Sequence, residues 1–70
     1  MKDYILENTL RVERARLQMT QAELAERVSV SRQAVISIEN GKYVPSTILA
    51  IRLAAVFGKK VDDVFFLREE

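Results

Sequence analysis

Arg32 and Gln33 stand side by side directly after Ser31, and both are side-chain types that read nucleic-acid bases. Arginine donates in a fork that suits guanine O6 and N7. Glutamine both donates and accepts, as the adenine N6/N7 edge requires. Serine is a capping residue, so Ser31 places the pair in the first turn of a helix. Val35 and Ile38 mark that helix's buried face, with Ile36 partly covered. Arg32, Gln33, Ile36, Ser37 and Asn40 then form its outer face. No acid occurs in this helix before Glu39. An exposed helix start ordinarily favours Asp or Glu, because the dipole is positive there. A start that approaches phosphates gains by leaving that place to the ligand. The alternative is that Arg32 and Gln33 are plain surface residues with good helix propensity. Their place on the solvent face of this particular helix favours base readout.

Other chemistries lack their residues. The chain has no cysteine and no histidine. Disulfides, thiolate nucleophiles, the usual zinc ligands and every Ser-His or Cys-His arrangement are therefore excluded. An enzyme is not expected, nor is a metal or a cofactor. Seventy residues make one domain spanning 1–70. A chain this short buries only about 60% of its unfolded surface, so a second copy would help its stability. No apolar run reaches the roughly 18 residues that a membrane span needs, so the expected compartment is the cytoplasm. The net charge is only +1, but residues 11–60 carry nine cations against four anions, a net +5. A positive middle between acidic ends is a weak footprint of phosphate binding, and ordinary solvated charge produces the same pattern.

The elements that must position Arg32 and Gln33 are short helices. The spacing predicts a first helix over about 8–18, with Leu10, Arg14 and Leu17 on one face and Val12 and Ala15 beside it. Glu13 interrupts this stripe. Thr20 and Glu23 form a capping box that opens a second helix, with Leu24, Ala25 and Val28 facing inward. The stretch 29–30 is a turn, and the third helix covers about 32–40. Gly41 sits where a left-handed residue closes a helix. Pro45 holds Val44 extended. Ser46 caps a fourth helix over 47–57 that is apolar almost all round, so it is central to the core or shared with a partner. A fifth helix or turn lies near 62–65. The triplets Tyr4-Ile5-Leu6 and Phe65-Phe66-Leu67 are free to pair as two short strands. The apolar residues of the fifth element either form a dimer seam or cap the monomer core. The fold expected is all-α, a compact five-helix domain, with short terminal strands as an option.

Two short helices joined by a three-residue turn make a helix-turn-helix, here about 20–41. The run TQAELAERVSVSRQAVISIENGKYVPS resembles the Cro/lambda-repressor type, also called the XRE family, and the similarity covers roughly residues 8–67. That resemblance implies a five-helix domain that binds operator DNA as a symmetric dimer. It implies that Arg32, Gln33 and Ser37 face base edges. It implies that Gln21 holds a phosphate and that Asn40, Lys42 and Tyr43 grip the backbone. Ser31, at the start of the reading helix, joins the phosphate-contacting set. Arg14 and Glu39 match an ion pair tying the first helix to the end of the third, a scaffold role with no direct DNA contact.

The sequence departs from the family pattern at Gln18 and Ser29, where glycine is common, and at Glu13, where an apolar residue is frequent. It departs again at Lys60-Val61, which offers no capping acceptor. The partner expected is a roughly palindromic double-stranded operator, with two copies bound to half-sites about one helical turn apart. The rival expectation is a protein-interaction module, such as an antitoxin-like partner.

Overall fold

The computed structural model describes residues 3–70. The chain runs β1 (Tyr4–Asn8), α1 (Leu10–Arg16), α2 (Gln21–Val28), α3 (Arg32–Glu39), α4 (Thr47–Val56), α5 (Val61–Val64) and β2 (Phe65–Glu69). Five helices surround one core, and the strands join the two ends of the chain. β1 and β2 pair antiparallel with Leu6 opposite Leu67. Bonds from Thr9 N to Val64 O and from Glu70 N to Asp3 O extend the ladder past both ends. The terminal triplets thus form strands. None of the described helices is long and apolar enough to cross a membrane.

Helix starts follow the capping side chains. Thr20 Oγ1 accepts from Glu23 N, and Glu23 Oε1 accepts from Thr20 N, both at 3.0 Å. Ser31 accepts from Ala34 N and Ser46 from Leu49 N. The Lys60 side chain offers no acceptor, but Asp63 Oδ2 accepts from Lys60 N at 3.1 Å. One half of a reciprocal cap therefore supports α5.

The four longer helices all end the same way. A residue with positive φ follows the helix, its N–H bonds three residues back, and the next N–H bonds five residues back. These residues are Gln18, Ser29, Gly41 and Gly58, with φ of 52°, 60°, 74° and 67°. This is the Schellman ending, and glycine suits it because a Cβ is strained in the left-handed region. Gln18 and Ser29 occupy it without that advantage.

The core consists of Leu10, Met19, Leu24, Ala25, Val28, Val35, Ile38, Ala50, Leu53, Ala54, Val64 and Phe65. The inward faces expected for the second and third helices are the observed ones. The first helix differs from expectation. It begins at Leu10, because Asn8 belongs to β1 and its Oδ1 accepts from Leu10 N. Val12 and Leu17 are half exposed, while Glu13 is buried. The inward face of α1 is Leu10, Glu13 and Arg14, two of them charged. Glu13 is tolerated there because Lys59 Nζ lies 2.6 Å from its carboxylate. α5 begins and ends one residue earlier than expected, and Phe65 opens β2 instead. Val64 and Phe65 are buried within the monomer, so the fifth element caps its core. Other exposed apolar residues are Val44 in the loop before α4, Ile48 and Ile51 on α4, and Phe66 and Leu67 on β2.

Ser29→Gly, which relieves a left-handed serine, should stabilise the domain by roughly 0.5–1 kcal/mol. Chemical denaturation with an unchanged m-value checks this. A lower midpoint would mean that Ser29 earns its place by an interaction other than the turn.

Candidate nucleic-acid interface

The α2–α3 connection is three residues long, and each has a distinct task. Ser29 supplies the left-handed turn, Val30 packs against the core, and Ser31 caps α3. Leu24, Ala25 and Val28 of α2 and Val35 and Ile38 of α3 are buried in one cluster. That burial turns the opposite side of α3 outward. Arg32 and Gln33 are exposed in its first turn, and Ile36 and Ser37 are half-buried beside them. Asn40, Lys42 and Tyr43 are exposed where α3 gives way to the loop. The first turn of α3 carries no acidic residue. The side chains expected to face DNA therefore lie along α3 and the loop that leaves it, except Ser31, exposed at the cap of α3, and Gln21, half-buried at the start of α2.

Behind that face stands Glu39. Its side chain is 1% exposed. Arg14 grips it through two bonds, Nε to Oε2 at 2.6 Å and Nη2 to Oε1 at 2.9 Å. Arg14 Nη1 also donates to Met19 O at 3.0 Å, which holds the residue leading into α2. The ion pair expected between Arg14 and Glu39 is thus present. Burial pushes the Glu39 carboxyl up. The Arg14 and Gln21 hydrogen bonds and the charges of Arg14 and Arg11 outweigh that, leaving it below its ordinary value of 4.5. The exposed Glu23 carboxyl is also lowered, by the backbone and side-chain hydrogen bonds of Thr20.

Two features of this cluster escaped the sequence reading. Gln21 Nε2 donates to Glu39 Oε1 at 3.1 Å, so the Gln21 side chain is tied to the scaffold as well as lying at the start of α2. Arg11 Nη2 donates to Asn40 Oδ1 at 3.3 Å, which joins α1 to the end of α3. The spacing of Arg11 and Arg14 along one helix was the available signal. It does not reveal partners 25 or more residues away.

A family model described as helix-turn-helix matches residues 10–64. The HTH-type transcriptional regulator YgzD of Bacillus subtilis is 45% identical over 65 residues, which is 93% of this chain and 98% of that protein. Among solved structures, the clp gene regulator ClgR from Corynebacterium glutamicum superposes with a TM-score of 0.72 at 33% identity. That likeness covers 77% of this chain and 57% of ClgR. FeII HppE, solved with its substrate, superposes with a TM-score of 0.67 at 26% identity, over 74% of this chain but only 30% of HppE. The chain belongs to the helix-turn-helix family of the Cro/lambda-repressor type and is a member of its DNA-binding transcriptional regulators.

A lowered carboxylate contributes stability that is fully present above its unfolded value and is lost as pH falls through its folded value. Glu39→Gln should therefore cost about 3 kcal/mol at neutral pH, by leaving Arg14 without its counter-charge. The variant should then lose less than the wild type on acidification below the ordinary value of 4.5. Denaturant midpoints across that range measure both effects. Equal acid sensitivity of the two proteins would remove Glu39 as the responsible group.

Proposed function

We propose that this protein regulates transcription by binding a specific, roughly palindromic double-stranded DNA operator as a homodimer. In this reading the N-terminal turn of α3 leads into the major groove. Arg32 and Gln33 contact base edges, and Ser37 contacts a base further along. Gln21, Ser31, Asn40, Lys42 and Tyr43 hold phosphates, which position the protein without specifying sequence. Arg14 and Glu39 are the scaffold pair that sets the helix.

The observation that carries this reading is the outer face of α3. Its first turn is free of acid and headed by two exposed multi-donor side chains, with Ile36 and Ser37 half-buried behind them. A solvated surface alone has no need to exclude acid from a helix start. Homodimerisation is supported by the exposed apolar Val44, Ile48 and Ile51, none of which belongs to α3. A two-fold pair would read half-sites about one helical turn apart.

Selection of bound sequences from a random DNA pool defines the operator. On that duplex, Arg32→Ala should lose roughly 1–3 kcal/mol and relax the choice at one base pair. Lys42→Ala should weaken all sequences alike and reduce the salt slope by about 1. The mass of the complex should correspond to two protein chains per duplex. Equal losses for Arg32→Ala on operator and random DNA would contradict base readout. A complete lack of salt-dependent duplex binding would favour the protein-interaction module instead.

A further inference from the structure

Arg11 has so far appeared only through its contacts with Glu39 and Asn40. It is the second residue of α1, and its side chain is 69% exposed. Its nearest carboxylate is Glu39, with Nε 4.0 Å from Oε1. That carboxylate is already occupied. Both of its oxygens accept from Arg14, and Oε1 also accepts from Gln21. Two guanidinium groups therefore share one carboxylate, and Arg11 carries the surplus charge. A cation in the first turn of α1 also works against that helix's own dipole, a cost only partly offset by the nearby C-terminal end of α3. Fold stability gives a weak reason for an arginine here.

We propose that Arg11 and Asn40 together form a clamp for a DNA phosphate. The inference rests on the reading of duplex DNA as the partner. Arg11 Nη2 donates to Asn40 Oδ1. With its acceptor oxygen engaged, the Asn40 amide has its Nδ2 donors left for an anion. The other guanidinium N–H groups of Arg11 are donors of the same kind, and guanidinium–phosphate hydrogen bonds are charge-assisted. Arg11 thus does two things. It supplies a positive charge beside Asn40, and it fixes which way the Asn40 amide faces. α1 thereby enters the interface through a contact that positions the duplex and reads no base.

Salt titrations with the operator duplex and a random duplex of equal length test this, using wild type, Lys42→Ala, Arg11→Ala and Arg11→Lys. Melting temperatures are measured alongside to verify folding. Arg11→Ala should weaken both duplexes by the same factor. Its plot of log K against log salt should be shallower by about 0.9, the share of one phosphate contact. Arg11→Lys keeps the charge and should keep the slope. If Lys42→Ala flattens the slope while folded Arg11→Ala leaves it unchanged, the clamp is overturned and the DNA reading stands. A loss confined to one operator base pair would overturn the clamp as well. Wild-type protein with no salt-dependent binding to either duplex would overturn both.

Discussion

The Glu39 carboxylate is the interaction on which the arrangement of helices depends. α1 is seven residues long, and Leu10 is its one apolar residue in the core. So little apolar burial cannot hold a helix in a fixed orientation. Ion pairs supply the remainder. Arg14 fastens the middle of α1 to the last residue of α3 in a two-bond grip. Lys59, just beyond α4, fastens α1 from another side through Glu13. Both carboxylates are buried, so removing either cation would strand a charge away from water. The pairs therefore set orientation more than they add net stability. Gln21 brings the start of α2 to the same Glu39 oxygen, so three helices converge on one group.

The ends of the helices set the remaining angles. A single left-handed residue after each of the four longer helices turns the chain in one step. Between α2 and α3 that economy leaves no slack, because Val30 is packed against the core and Ser31 already caps the next helix. The first turn of α3 is consequently presented at a defined angle to α2. A side chain as long as Arg32 gains geometric selectivity only when its backbone is held in this way. The same scaffold supports the loop that follows α3, where Gly41 supplies the turn leading to Lys42 and Tyr43.

Local chemistry was legible before the structure, and long-range pairing was not. Thr20, Ser31 and Ser46 cap the helices they were expected to cap, since a cap depends on residues only three positions apart. The inward faces of α2 and α3 follow from simple apolar spacing. Apolar spacing does not find the inward face of α1, because two of its three residues, Glu13 and Arg14, are charged. The partners that make this tolerable, Lys59 and Glu39, lie 46 and 25 residues further along the chain. Asn8 looked like the start of a helix, yet it ends a strand whose partner is at the far end of the sequence. α4 is apolar almost all round, with Arg52 its lone charge, so periodicity does not choose between Ala50, Leu53 and Ala54 inside and Ile48 and Ile51 outside. Arg32 and Gln33 were found as candidate reading residues from the exposed face of α3. Arg11 was missed, because its link to Asn40 exists only once α1 has docked.

Backbone amide shifts of isotopically labelled protein, followed by NMR as a selected operator duplex is added, test the interface most directly. The largest changes should fall on Gln21, on Arg32, Gln33 and Ser37, and on the loop from Asn40 to Tyr43. Arg32 and Gln33 unmoved while Ile48 and Ile51 shift strongly would contradict the assignment of α3 as the DNA-reading element.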